Sequence, residues 1–260
     1  MGLLDHVGAK KAIWVGHDWG SSTLWNIAAH FPERCTAAIS LAIPFGTQGF
    51  GGRTSRIDRE RYPEESDPFG QFDYMAFYEQ NPRRVTGVFD ANPASTVRYF
   101  FRRGDPAVLT RRAPSSNITR DGGWFGGADQ APDVPLDRAI LDDNTYAALT
   151  SALRTNGFHG PPGYYLNHAD NARYAESALH EGRLDMPVQF VGAEYDDIAD
   201  IHVPSAHTAM RDTCRDLTES VVSAGHWLQL EKPDEVNQLI EDWLHTKNLV
   251  PTGQHVRVSD

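Results

Sequence analysis

The fold of this chain is decided by residues 12–31, AIWVGHDWGSSTLWNIAAHF. The first four residues are a short apolar run, typical of a strand buried on both faces of a parallel sheet. From residue 21 onward, apolar side chains recur at helical spacing, and Pro32 ends the pattern. The stretch therefore predicts a strand over residues 11–16, a sharp turn, and a helix over residues 21–31.

The turn between these elements holds Asp18 between Gly16 and Gly20. A sharp strand-to-helix turn with flanking glycines pushes its middle side chain out at the end of the strand. A carboxylate in that position is already an anion at neutral pH, so it can attack carbon without a base removing a proton first. The alternative is a tight turn with a capping residue, because Asp is a favoured helix N-cap.

The rest of the chain divides by pattern into sheet-forming and helical parts. Further strands are predicted over residues 37–43, 188–191 and 217–222, and further helices over residues 205–212 and 234–244. Residues 46–183 lack strand-like runs and fit helices over 72–80, 82–89, 94–103, 142–155 and 169–181, with a loop over 113–135. We predict an α/β catalytic domain from residues 1–45 and 184–248, a helical second domain over residues 46–183, and a loose tail over residues 249–260.

Composition limits the classes of partner. The chain has 260 residues, is 40% hydrophobic and 23% charged, and carries a formal net charge of −11. This charge disfavours nucleic acid and anionic membrane surfaces as partners. No apolar run suggests export or membrane insertion, and Cys35 and Cys214 lie far apart, outside any metal-ligand spacing. A cytoplasmic protein without disulfides or zinc is expected.

Two later motifs place a carboxylate and a histidine after predicted strands. Asp196 lies in GAEYDD, residues 192–197, and His226 lies in SAGHW, residues 223–227. Because the carboxyl ends of parallel strands share one sheet edge, both can face the turn that holds Asp18. Asp196 can orient the imidazole and stabilise its charged form, with Asp197 as the alternative and Glu194 as a structural residue.

The order of nucleophile, acid and histidine is that of α/β hydrolases. The chain resembles the epoxide hydrolase branch of that superfamily in the stretches VGHDWGSSTLW, HFPERCTAAISLAIPF, FDYMAFY, GFHGPPGYYLN, GAEYDD and AGHWLQLEKPDEVNQLIEDWL. The resemblance implies an α/β-hydrolase fold with a helical cap domain. It also implies hydrolysis of a small neutral epoxide by water to a vicinal diol, with no metal or organic cofactor. It implies nothing about the oligomeric state.

The resemblance assigns roles to five residues. Asp18 would open the epoxide and form an alkyl ester, and water activated by His226 and Asp196 would hydrolyse that ester. Tyr74 in FDYMAFY and Tyr165 in GFHGPPGYYLN match the two cap tyrosines that donate hydrogen bonds to the epoxide oxygen. Packing under the cap is the alternative for each tyrosine, because Tyr is amphipathic.

Further positions are expected around the substrate. The resemblance places His17, Trp19, Tyr164 and Trp227 at the pocket, and Tyr164 is the less favoured alternative to Tyr165 as a donor. The backbone N–H of Trp19 would belong to an oxyanion hole, because it follows the nucleophile. In the loop over residues 113–135, Trp124 and Phe125 would line the entrance or, preferably, pack against the cap.

Other functions stay open on the sequence. The motif GHDWG also occurs in haloalkane dehalogenases, which bind the departing halide with indole N–H groups. Members of the superfamily place several strands and a His-Gly-x-Pro loop ahead of the elbow, and no such motif precedes Asp18. We therefore expect the N-terminal strands of the sheet to be missing and residues 12–15 to form an exposed apolar edge. A truncated, inactive hydrolase is thus an alternative, whereas a binding module without chemistry finds little support because no triad residue is substituted.

Overall fold

A computed structural model describes residues 1–46 and 56–250 of the chain. The strands in these ranges are β1 (Ala12–His17), β2 (Cys35–Leu41), β3 (Leu184–Ala193) and β4 (Cys214–Val222). They form one sheet in the order β1-β2-β3-β4, and every neighbouring pair is parallel. Because all four strands run in one direction, their carboxyl ends lie along a single edge of the sheet.

Helices account for most of the remaining described chain. They are α1 (Gly2–His6), α2 (Trp19–His30), α3 (Asp73–Gln80), α4 (Pro82–Ala91), α5 (Pro93–Phe100), α6 (Ile118–Asp121), α7 (Asp143–Asn156), α8 (Gly160–Gly163), α9 (His168–Ala175), α10 (Ser205–Thr213), α11 (Leu228–Glu231) and α12 (Pro233–Thr246). Between β2 and β3 the described residues contain helices and turns but no strand. None of the helices within residues 1–46 and 56–250 is both long and apolar enough to cross a membrane.

The central strands are buried on both faces, which explains their nearly uninterrupted apolar sequences. On one face, Ala38 of β2 packs in a cluster with Trp25 of α2 and Met210 of α10. On the other face, Ile39 packs in a cluster with Trp243 of α12. Successive residues of a strand point to opposite faces, so β2 contributes to both helical layers. The sheet is thereby held rigidly between them.

The helices between β2 and β3 have their own aromatic core. Tyr74, Phe77 and Tyr78 of α3 are all buried and pack in one cluster with Phe89 of α4 and Phe158. Edge-to-face ring contacts recur in this cluster, for example between Phe89 and Phe158 at 5.5 Å. Four residues of this cluster, Tyr74, Tyr78, Phe89 and Phe158, line one cavity together with residues that follow the carboxyl ends of the strands.

Two predicted segments differ from the structure. The segment over residues 113–135 contains a 3₁₀ turn at Pro114–Asn117 and α6, where a loop was predicted. A tertiary contact stabilises α6, because the Thr119 N–H and hydroxyl donate to the two Asp73 carboxylate oxygens at 2.6 and 2.8 Å. The helix predicted over residues 169–181 ends at Ala175, and three consecutive residues with positive φ, at 180–182, then lead the chain into β3.

The remaining predicted elements lie within a few residues of the observed ones, and β3 and β4 are longer than predicted. Most of the glycine-rich stretch over residues 46–52 and the end of the predicted tail lie outside the described residues. Strand β1 occupies one edge of the sheet, pairing with β2 alone among the described strands. Val15 is 56% exposed on this edge, as expected for an apolar edge strand.

Candidate active site

The turn at Asp18 is strained in the way that its sequence predicts. Asp18 has φ 51° and ψ −119°, an unusual conformation for a residue with a side chain. A Cβ at Gly16 would lie 2.4 Å from the Gly20 carbonyl oxygen, whereas a Cβ at Gly20 would meet open space. The steric requirement for glycine is therefore at Gly16. The Ser21 hydroxyl lies within hydrogen-bond distance of two carbonyl oxygens, that of Gly16 in β1 at 2.8 Å and that of Leu41 in β2 at 3.1 Å. The turn is thereby held to both strands.

The Asp18 carboxylate is not used as a helix cap. Asp18 occupies the N-cap position of α2, but its side chain makes no capping hydrogen bond. Its Oδ1 instead lies 3.5 Å from Nε2 of His226. The interpretation of GHDWG as a simple capped turn is therefore wrong for this side chain.

The carboxyl ends of β1, β3 and β4 bring three predicted residues together. Asp196 Oδ2 lies 2.7 Å from His226 Nδ1, on the side of the imidazole opposite Asp18. Asp196 Oδ1 accepts hydrogen bonds from the backbone N–H groups of Ile198 and Ala199, both at 3.0 Å. The carboxylate is thus held by its own loop while it orients the imidazole. Asp18, His226 and Asp196 form a continuous line of polar contacts.

The contact with His226 distinguishes Asp196 from its two acidic neighbours. Asp197 makes no hydrogen bond or ion pair with any other residue in the described part of the chain. Glu194 accepts a hydrogen bond from the Ser223 hydroxyl, which joins the loops after β3 and β4. Among the three carboxylates, only Asp196 is therefore in a position to orient the imidazole.

The two carboxylates beside His226 favour the protonated form of its imidazole. Burial of His226 disfavours its charged form, but attraction to Asp196 and Asp18 outweighs burial and raises the pKa of His226 to about 9. Burial also opposes ionisation of Asp196, yet the facing His226 and two backbone N–H groups hold the pKa of Asp196 below its usual value. In this state the imidazolium lies between two carboxyl groups.

His17 supports the loop that carries His226. Its Nε2 lies 2.8 Å from the backbone carbonyl oxygen of His226. Burial, followed by repulsion from His226, lowers the pKa of His17, so this ring is neutral near pH 7. Because a carbonyl oxygen only accepts, Nε2 carries the proton and donates it. His17 therefore contacts the backbone of His226 and is not among the residues that line the cavity, where the sequence predicted it.

A cavity of about 460 Å³ lies between the line of polar contacts and the helices above the sheet. Its wall includes five of the predicted catalytic residues, Asp18, Tyr74, Tyr165, Asp196 and His226. Aromatic and apolar side chains also line it, namely Tyr78, Phe89, Val97, Tyr99, Phe100, Phe101, Val108, Pro114, Trp124, Phe158, Pro161, Pro162, Tyr195, Ile198 and Trp227. The wall also includes the polar residues Thr96, Arg102, Arg103, Asp105, Arg111, Ser115 and Asp197. The predicted catalytic residues thus line a largely apolar cavity whose size suits a small ligand.

The sequence and the fold are similar to those of known hydrolases. A sequence model of the alpha/beta hydrolase fold matches residues 3–233. The chain belongs to the α/β-hydrolase fold family. The parallel sheet and its helical layers agree with the predicted α/β class.

The similar proteins of this hydrolase family carry epoxide hydrolase names. The chain is 29% identical over 246 residues to bifunctional epoxide hydrolase 2 of Sus scrofa, covering 94% of this chain and 40% of the relative. It is 27% identical to epoxide hydrolase B of Mycobacterium tuberculosis, covering 94% and 74%. The chain therefore spans about 40% of the length of the pig relative.

A solved structure shows the same fold. Epoxide hydrolase A from Mycobacterium thermoresistibile matches with a TM-score of 0.71 at 24% identity, over 94% of this chain and 72% of that structure. At this level of identity the match concerns the fold. It agrees with the predicted architecture of a parallel sheet combined with helices.

The remaining predicted pocket residues of this α/β hydrolase fall into two groups. Trp227 lines the main cavity, and its ring stacks on Phe101 at 4.2 Å. Trp19 and Tyr164 face a second cavity on the other side of α2 and stack on each other at 5.6 Å. The Trp19 ring also lies 5.1 Å from the ring of Tyr165, which lines the main cavity, so the predicted position of Trp19 and Tyr164 at the substrate pocket stays a prediction.

The sequence reasoning missed one aromatic residue in particular. Tyr78 lines the cavity, and its ring lies 4.9 Å from that of Tyr165 and 5.5 Å from that of Tyr74. Trp124 Nε1 donates to its hydroxyl at 2.7 Å. Tyr78 follows Tyr74 by four residues on α3, so helical spacing was a signal that could have identified it. Trp124 and Phe125 both pack against the aromatic cluster, the preferred interpretation of the sequence, and Trp124 also lines the cavity.

Proposed function

We propose that this chain carries the catalytic machinery of an epoxide hydrolase, which converts a small epoxide and water into a vicinal diol. The observation that carries the proposal is the line from Asp18 through His226 to Asp196 at the wall of a cavity that also exposes Tyr74 and Tyr165. The names of the similar proteins support the same reaction.

In the proposed first step, a carboxylate oxygen of Asp18 attacks a ring carbon and the bond between that carbon and the ring oxygen breaks. Tyr74 or Tyr165 donates a proton to the leaving oxygen, which produces a hydroxyalkyl ester and a tyrosinate. Both tyrosines line the cavity that Asp18 also lines, and their rings are in contact with centroids 5.4 Å apart, which supports a joint role at one epoxide oxygen. An acid in place before the bond breaks stabilises the developing alkoxide.

In the second step, water attacks the carboxyl carbon of the ester, and His226 Nε2 takes the proton from that water. The free imidazole is needed here, although attraction to two carboxyl groups raises the pKa of His226 to about 9. Esterification removes the charge of Asp18 and thereby lowers this pKa, so the first step prepares the base for the second. The tetrahedral intermediate then collapses with cleavage of the bond between the carboxyl carbon and the alkoxy oxygen, and the leaving alkoxide takes the proton from the His226 imidazolium, which releases the diol. The Asp18 carboxyl group gives its proton to the tyrosinate, which regenerates both residues.

The backbone N–H of Trp19 is proposed to stabilise the tetrahedral oxyanion of this second step, because it belongs to the residue that follows the nucleophile. This role belongs to the backbone and does not require the indole to face the substrate. The orientation of the Trp19 ring toward the second cavity is therefore compatible with it.

The cavity favours epoxide opening over halide release. Two tryptophans line it, and both indole N–H groups already have protein acceptors: Trp124 donates to Tyr78 and Trp227 donates to the Phe100 carbonyl oxygen at 2.9 Å. A departing halide would have to displace these bonds. The tyrosines offer hydroxyl donors in the same chamber, which suits an oxygen leaving group.

The test is trapping of the ester. His226→Gln should still open an epoxide such as styrene oxide but should fail to hydrolyse the product. Intact-mass measurement is expected to show a gain of one substrate mass, and peptide mapping should place it on Asp18. The matched control is Asp18→Asn with His226→Gln, which should gain nothing. A folded His226→Gln variant that stays unmodified would contradict the two-step scheme.

A further inference from the structure

One carboxylate in the cavity has no task in the proposed reaction. Asp197 lines the chamber beside Asp196, and the described residues place no hydrogen bond or ion-pair partner from another residue on its side chain. Leaving a partly buried carboxylate without a partner costs free energy, and such a group gains from a ligand that supplies a donor.

The polar neighbours of Asp197 are already engaged with other groups. Arg111 lies close enough to attract the carboxylate electrostatically, but it is ion-paired with Asp105 at 2.9 Å. Burial, followed by repulsion from Asp197, raises the pKa of Tyr99. The Tyr99 hydroxyl donates to the Trp124 carbonyl oxygen at 3.5 Å. Neither residue forms a hydrogen bond with Asp197. The other polar residues of the cavity wall include Thr96, Arg102, Arg103 and Ser115, and none of them has a hydrogen bond or ion pair with Asp197 in the described part of the chain.

The charge state of Asp197 is compatible with accepting hydrogen bonds near neutral pH. Burial, reinforced by repulsion from Asp196, raises the pKa of Asp197 to about 6. The group is therefore mostly ionised at pH 7.5. A hydrogen bond to a charged acceptor in such a site is stronger than one between neutral groups.

We propose that Asp197 is a specificity-determining residue that selects epoxides bearing a hydrogen-bond donor, such as a hydroxyl group, over otherwise matched epoxides without one. The inference rests on the proposed function, because it assigns the substrate class of that same cavity. It follows from the position of Asp197 on the cavity wall and from the absence of a protein partner among the described residues. The carboxylate would accept from the substrate hydroxyl while Asp18 faces the ring.

The experiment compares two substrates that differ only in the donor: 3-phenylglycidol and its methyl ether. The ratio of their kcat/KM values is measured for the wild-type chain and for Asp197→Leu at pH 7.5. The wild type is expected to prefer the alcohol by about tenfold or more, and Asp197→Leu should lower that ratio by about tenfold, as expected for the loss of one hydrogen bond to a charged acceptor. A smaller change in the ratio, including an equal loss on both substrates, overturns the inference.

Two further measurements cover a variant that does not fold and a wild type that consumes neither epoxide. If Asp197→Leu does not fold, Asp197→Asn replaces it, and because a neutral amide accepts more weakly, the ratio should still fall by at least about threefold. If the wild type consumes neither epoxide, the proposed function fails. The inference is then tested separately by measuring how tightly the chain binds the corresponding triol and the methoxy diol, with tryptophan fluorescence as the signal. Wild type should then bind the triol more tightly, Asp197→Leu should lose that difference, and equal affinities for the wild type would overturn the inference.

Discussion

The backbones of Gly104 and Gly225 cross in direct contact. A Cβ at Gly104 would lie 2.4 Å from the Gly225 nitrogen, and a Cβ at Gly225 would lie 2.6 Å from the Gly104 Cα. One oxygen of Glu231, Oε2, accepts from both backbone N–H groups, at 2.8 and 2.9 Å. Because Gly225 precedes His226, this crossing ties the histidine loop to the helical segment above the sheet.

We expect Gly104→Ala and Gly225→Ala to destabilise the protein by about 1–3 kcal/mol, because the obstructing atoms are backbone and have little room to move. Gly225→Ala should also lower kcat, since it displaces His226. Gly87→Ala is the control: its Cβ would meet nothing within 4 Å, and Ala is preferred over Gly inside α4. Thermal unfolding and diol formation measure the two effects. Equal stability of all three variants would contradict the tight crossing.

The two glycines of the elbow should respond differently to substitution. Gly16→Ala forces its Cβ to within 2.4 Å of the Gly20 carbonyl oxygen, whereas Gly20→Ala meets open space. Gly16→Ala is therefore expected to reduce both stability and ester formation on Asp18, and Gly20→Ala to be tolerated structurally. Thermal unfolding of the pair checks the prediction. If Gly20→Ala proves the more damaging of the two, the steric argument at the elbow is wrong.

The two tyrosines near the nucleophile should control epoxide opening. Replacing both Tyr74 and Tyr165 with Phe removes the proposed acids while keeping the rings, so epoxide turnover should fall by about 10²-fold or more. Tyr164→Phe is the control, because Tyr164 faces the second cavity and should matter far less. Rates of diol formation and of chloride release from a haloalkane are compared. Retained epoxide turnover in the double variant, or halide release that survives it, would favour the dehalogenase alternative.

The raised pKa of His226 predicts a pH-dependent contribution to stability. Attraction to Asp196 and Asp18 outweighs burial and raises this pKa from 6.5 to about 9, which corresponds to at most about 3 kcal/mol. A raised pKa stabilises the fold fully below pH 6.5 and progressively less up to about pH 9. The stability gap between wild type and His226→Gln should therefore shrink between pH 6.5 and 9. Asn237→Ala, at an exposed position of α12, removes no titratable group and should show no such trend.

Local sequence determined the elements and the elbow. An apolar run, a turn with Gly16 and Asp18, and a helical repeat specify strand, turn and helix through short-range sterics and periodicity. The order of the motifs after parallel strands also placed Asp18, Asp196 and His226 at one sheet edge, because parallel strands end on the same side. These features depend on neighbours in sequence or on the direction of the strands, so they could be predicted.

Tertiary structure decided what each side chain contacts. Asp196 and Asp197 are adjacent in the same motif, yet one faces His226 and the other lies on the cavity wall without a hydrogen bond or ion pair to another residue in the described part of the chain. Likewise, Trp19 and Tyr164 line a second cavity. Side-chain direction around a cavity depends on how helices distant in sequence pack over the sheet, and no local pattern encodes that packing.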